Sequence, residues 1–173
     1  MESFLPRQSI LRNINQRNPS VSAVVRDWKG AVKMDKQVLL TLTGLQRDPS
    51  GSETVTELST EAECYERNGS LYILYEEKAE DGSLTKNIIK HKNRVLELTK
   101  KGTVSTCMVF EPGREHMADY ATPFGLLRLG ILTDSVTMQY SEDQMEIVAE
   151  YALTEYGEVI SHCQIIINIH NLG

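Results

Sequence analysis

From Lys36 to the C-terminus, short apolar runs of period two recur between turn-forming residues, and no stretch carries a sustained helical period. That punctuation constrains the fold more than any other feature. Successive strand residues point to opposite faces, so a period of two marks a half-buried strand. Asn68-Gly69 stands between the runs Glu53–Arg67 and Leu71–Tyr75. Both residues tolerate the left-handed backbone of a type I′ turn, which makes this the strongest short hairpin signal in the chain. Asp48-Pro49-Ser50-Gly51, Asp81-Gly82, Lys92-Asn93, Lys101-Gly102, Pro112-Gly113, Glu142-Asp143 and Gly157 divide the remainder in the same way.

The spacing predicts about ten strands. Val38–Thr43 is broken by Gly44, and Glu53–Arg67, Leu71–Tyr75, Leu84–His91, Val95–Thr99 and Val104–Phe110 follow. His116–Ala121 leads to a Pro123/Gly125 corner, then Leu126–Thr133, Val136–Tyr140, Met145–Tyr156 and Val159–Ile169. A meander of this kind closes into a barrel or sandwich, because closure removes exposed strand edges. The expected fold is all-β: an antiparallel up-and-down barrel over residues 36–173, preceded by a partly irregular N-terminal extension, 1–35. Within the extension, Asn13, Asn15, Asn18, Pro19 and Ser20 are polar and turn-prone, and Val21 to Trp28 reads as a short strand or helix with Trp28 as an anchor on the barrel. Met34-Asp35-Lys36 also reads as a natural chain start.

Composition closes off several function classes. The net charge of −6 divides unevenly. Residues 1–33 hold six Lys/Arg against Glu2 and Asp27, a net of +4, which leaves −10 on the remainder. An acidic barrel repels the phosphate backbone that a nucleic-acid binder must neutralise, so no nucleic-acid partner is expected. No run approaches the ~20 apolar residues of a membrane-spanning helix, and Pro6-Arg7 interrupts any signal-peptide stretch after Phe4-Leu5. Cys64, Cys107 and Cys163 are odd in number and form no C-x-x-C, which argues against a disulfide framework and a zinc site. A reducing cytoplasm is the expected location. No metal or cofactor is expected.

Several motifs fall in a familiar order: Val38-Leu39-Leu40-Thr41-Leu42-Thr43-Gly44, Leu71-Tyr72-Ile73-Leu74-Tyr75-Glu76-Glu77, Lys101-Gly102 before Met108-Val109-Phe110-Glu111, and Tyr120-Ala121-Thr122-Pro123-Phe124-Gly125. Together they resemble the YwiB-like bacterial family, catalogued as a domain of unknown function, number 1934. The resemblance runs from about Lys36 to the C-terminus. It implies a calycin-type barrel, the architecture shared with lipocalins and fatty-acid-binding proteins. It implies no activity, and it does not extend to the first 33 residues.

The residues that carry chemistry best are scattered. His91, His116, His162 and His170 each stand alone, outside any H-x-x-x-H or H-E-x-x-H pattern. Alternation in the last strand places His162 and His170 on the polar face with Gln164 and Asn168, opposite Val159, Cys163, Ile165, Ile167 and Ile169. Adjacent strand residues face apart, so His162 and Cys163 form no dyad, and all three cysteines read as small core or half-buried residues. The acidic pairs Glu76-Glu77, Glu142-Asp143 and Glu61/Glu63 fall on turns and strand ends, where a solvated edge is the default. Small barrels orient a ligand with a few polar groups near an open end. Arg114, His116 and Tyr120 are placed for that on one face near the Thr122–Gly125 corner, and Tyr72, Tyr75 and Tyr151 offer aromatic lining with a hydroxyl handle. A packed scaffold with ordinary turn chemistry explains the same residues.

Two classes of function follow. The first is a non-catalytic barrel holding a small apolar or amphipathic ligand inside. The alternative is an interaction module that docks or forms a homodimer through the barrel surface and the N-terminal extension. An enzyme ranks below both, because no nucleophile, base or metal-ligand constellation converges.

Overall fold

A computed structural model describes residues 36–172. The expectations for the N-terminal extension, Trp28 included, lie outside the described residues. Within them the chain forms ten strands: β1 (Gln37–Arg47), β2 (Glu53–Arg67), β3 (Ser70–Lys78), β4 (Leu84–Lys92), β5 (Val95–Lys101), β6 (Thr106–Phe110), β7 (Glu115–Thr122), β8 (Gly125–Tyr140), β9 (Gln144–Glu155) and β10 (Glu158–Asn171). All neighbours are antiparallel, in the order β6-β5-β4-β3-β2-β1-β10-β9-β8-β7. The fold is the expected all-β, up-and-down, calycin-like barrel.

The turns form where the residue types direct them. Asn68 and Gly69 take φ of 52° and 76°, the left-handed pair a type I′ hairpin needs. Glycine meets that requirement at no steric cost. The Asp48 carboxylate accepts from the Ser50 and Ser52 amides (2.9 and 3.0 Å), and the same side-chain-to-backbone cap recurs at Asp81 and Ser83. These contacts, with the serine hydroxyls foremost, hold both exposed carboxyls below their ordinary range.

Two boundaries differ from expectation. β1 runs on through Gly44 to Arg47, because Gly44 stays in register with Thr56 on one side and Ile165 on the other. The strands expected at Leu126–Thr133 and Val136–Tyr140 are one strand, β8, with a register shift between Thr133 and Ser135. A bulge adds a residue and restores the inward parity without ending the strand. Thr133 and Val136 are consequently both buried.

Closure of the barrel is narrow. β6 and β7, the two ends of the sheet, are joined by the single bridged pair Ser105↔Ala121, which exchanges hydrogen bonds of 3.0 and 2.9 Å. At the other end of this seam the loop 111–114 is tied to β8, with Gly113 donating to the Thr133 carbonyl and Thr133 donating to that of Arg114. Alternate strand residues direct their backbone groups to opposite sides, so the Ala121 amide serves only the seam. Ala121→Pro therefore removes one closing bond and leaves the β7–β8 ladder whole. The expected loss is about 1–2 kcal/mol in urea unfolding; an unchanged midpoint would show that the bridge does not hold the barrel shut.

Candidate functional site

The inward face is divided along the barrel axis. Towards the end bearing the turns at 68–69, 93–94 and 141–143, it is an aliphatic core. Val38, Leu40, Ile73, Leu96, Phe110, Ile131, Met145, Ile147, Ile167 and Ile169 are 0% exposed there. Phe110 meets Tyr151 edge to face at 4.8 Å between ring centres.

Towards the opposite end the inward face turns polar. Cross-strand register aligns Tyr75 with Asn87, Asn87 with Lys100, and Lys100 with Thr106 across β3, β4, β5 and β6. The Ser105↔Ala121 bridge extends the row across the seam to Tyr120 on β7. Beyond Tyr120 lie Cys163 and Tyr151, whose hydroxyl hydrogen-bonds the thiol, and the Ser161 hydroxyl lies 3.6 Å from that sulfur. Gln46 donates to Ser161 at 3.1 Å. Tyr75, Asn87, Thr106, Tyr120, Tyr151 and Cys163 retain 3–8% exposure, as do Leu98 and Met108 beside them, whereas the ten side chains named above retain none. This belt is the candidate site.

Its electrostatics are set by one ion pair. The Lys100 ammonium lies 3.0 and 3.3 Å from the two Glu77 oxygens. Lys100 sits on β5 and Glu77 on β3, so the pair spans β4 at the mouth of the barrel. Gly102 keeps that mouth narrow: a Cβ there would meet the Thr85 backbone at 2.9 Å. Burial, then the Glu77 charge, pushes the Tyr75 phenol well above its ordinary range. Burial, then Cys163, pushes Tyr120 up to about 12, and Tyr151 is raised for the same reasons. These phenols stay protonated at neutral pH. Two buried belt atoms have no hydrogen-bond partner within the protein, Asn87 Oδ1 and Thr106 Oγ1; His91 Nδ1, Thr133 Oγ1 and Asn168 Oδ1 lack one elsewhere among the described residues.

The sequence candidates separate. Tyr75, Tyr120 and Tyr151 face the interior. Tyr72 lies on the outer face and stacks on Tyr65 with ring centres 5.2 Å apart, since an odd spacing from Tyr75 reverses its direction. Arg114 and His116 do not join Tyr120. Both turn to Glu111, at 3.3 and 2.8 Å, at the far end of β7, about 13 Å along the strand. Glu61, Glu63 and Glu76 are exposed, and only Glu77 of the acidic pairs reaches the belt. Cys64 and Cys163 are buried, and desolvation raises both thiols, Cys64 to about 11; Cys107 is exposed rather than half-buried. Among the described residues no group of His, Cys, Asp and Glu is placed to hold a metal ion.

Asn87, Lys100 and Thr106 were not among the sequence candidates. Their signal is the register imposed by the two-residue turn at Asn93-Arg94, which pairs Lys92 with Val95 and hence Asn87 with Lys100. Two concavities lie on the outside of the barrel: a groove of about 240 Å³ lined by Lys90, Lys92, Asn93, Val95 and Glu97, and a smaller one of about 30 Å³ at Gln139–Gln144.

A nearly closed up-and-down barrel with an aliphatic core and a polar inner belt defines the class of this protein. By sequence the chain belongs to the family described as Domain of unknown function (DUF1934), whose model matches residues 40–167. A solved structure similar to it is that of the ywiB protein from Bacillus subtilis, with 23% identity and a TM-score of 0.70 over 84% of this chain and 98% of that one. That likeness concerns the fold. No curated protein matches the sequence. No helix among the described residues is long and apolar enough to cross a membrane.

His91, inward-facing at the aliphatic end, provides a test of the burial pattern. It is 7% exposed, its Nδ1 has no partner, and desolvation lowers its pKa from the ordinary 6.5. The unfolded chain takes up this proton first as pH falls, so His91 stabilises the fold above that value and the contribution is lost below it. Tm is expected to drop between about pH 7.5 and 5.5, and His91→Leu to flatten that slope. An identical slope in the variant would contradict the buried, neutral imidazole.

Proposed function

We propose that this protein is a non-catalytic binding barrel that takes one small amphipathic molecule at the polar end of its interior. The observation that carries this reading is the belt itself. A barrel stabilised only by packing gains nothing from buried hydroxyl and amide oxygens that lack partners, because each costs about 1–3 kcal/mol. Here Asn87 and Thr106, 3 and 6% exposed, carry such atoms on one inward row. The apolar part of the molecule rests on Leu98 and Met108, one row below Lys100 and Thr106 and 8 and 6% exposed. The interior presents aliphatic and protonated phenolic groups, which suits holding a molecule rather than transforming it.

Self-association is the second reading, and an observation favours it. Met117, Leu132 and Val159 are 53, 37 and 45% exposed on the outer face of β7, β8 and β10, with Leu126 and Phe124 beyond them. Native mass spectrometry of the protein purified from the cells that make it distinguishes the two. The binding reading expects a monomer carrying a stoichiometric small-molecule adduct that is shed on denaturation. A bare polypeptide mass would contradict it, and a bare dimer dissociated by Met117→Lys would establish the second reading instead.

A further inference from the structure

We infer that the belt recognises a neutral head group that both donates and accepts hydrogen bonds, of the primary-carboxamide class, and discriminates against carboxylates and ammonium groups. The inference rests on the binding-barrel reading and specifies its ligand. Three observations carry it. Asn87 Nδ2 donates to the Thr85 carbonyl at 3.2 Å, which fixes the orientation of the amide and leaves Oδ1 as an acceptor in need of a donor. Asn87 is 3% exposed, so that donor comes from within the barrel. Thr106, on the same inward row two strands away and 6% exposed, has a hydroxyl able to give or receive one bond. A carboxamide supplies the N–H that Asn87 needs and the oxygen that the Thr106 hydroxyl can serve.

Charge makes the choice between head groups. Lys100 stands between Asn87 and Thr106 on this row, and its ammonium is already matched by both oxygens of Glu77. A carboxylate entering beside it meets the Glu77 charge and competes for a cation that is taken. An ammonium group meets Lys100. Either ion would be desolvated at a site whose charges are balanced, which is costly without a new partner. A neutral head loses little on leaving water and satisfies two buried atoms that otherwise lack partners. The aliphatic side chains of Leu98 and Met108, in register with each other directly beneath, receive a short apolar tail.

The test uses three probes of one shape: hexanamide, hexanoate and hexylamine, titrated against the full chain and followed by amide NMR shifts. Hexanamide is expected to move the signals of Asn87, Leu98, Lys100 and Thr106, with both ions binding about tenfold or more weakly. Thr106→Val and Asn87→Leu are each expected to weaken hexanamide about tenfold. The isosteric Thr106→Val should also raise Tm by about 2–4 °C, since it removes a buried hydroxyl without a partner. Equal or tighter binding of an ion, hexanamide binding insensitive to both substitutions, or no interior shift with any probe would overturn the inference. An adduct in the native mass spectrum together with any of these results leaves the binding barrel standing and removes only its head-group specificity.

Discussion

The ladder between the first and last strands is the constraint on which the rest of the barrel depends. β1 pairs with β10 without interruption from Val38↔Asn171 to Arg47↔His162. It joins two meanders, β1–β6 and β7–β10, into one curved sheet whose free ends then meet at a single bridge. A slip of one residue would turn Leu40, Ile167 and Ile169 to solvent and carry Thr41 and Asn168 inwards. The aliphatic content of that face therefore fixes the register, and the register fixes which side chains of every other strand look into the barrel.

The division of the interior follows from it. Where β1, β9 and β10 present Val38, Leu40, Met145, Ile147, Ile167 and Ile169, the inward face is aliphatic and fully buried. Further along the same strands come Gln46, Tyr151, Ser161 and Cys163, and the polar side chains of β3–β6 face them from across the barrel. A belt of this kind lowers stability relative to an apolar filling of similar shape. Asn87 and Thr106 share one inward row beside the narrow seam of the sheet, which is what the binding reading rests on.

Most of the architecture was legible in the sequence, because turn chemistry is local. Asn68-Gly69 specified its hairpin through two backbone angles, and the alternation in β10 placed His162 outside and Cys163 inside, but a register shift between Val159 and Ser161 turns Val159 outward instead of inward. β8 read as two strands because a bulge at Asp134 looks, in one dimension, like the end of a period-two run. The site was less legible. Tyr72 and Tyr75 read as one aromatic lining, although their odd spacing separates the faces. Arg114 and His116 share a face pattern with Tyr120, yet Glu111 claims both at the far end. Asn87, Lys100 and Thr106 are ordinary polar residues within their own strands. They become a row only when hairpin registers are carried across three neighbouring pairs.

The central claim is that the polar end of the barrel is a seat for a molecule and not an imperfect core. The most direct measurement is an atomic-resolution crystal structure of protein purified from the cells that make it. Connected density, larger than water, is expected within hydrogen-bond distance of Asn87 Oδ1 and Thr106 Oγ1. Isolated waters on both atoms, or Asn87 and Thr106 bonded to other protein groups, would contradict it.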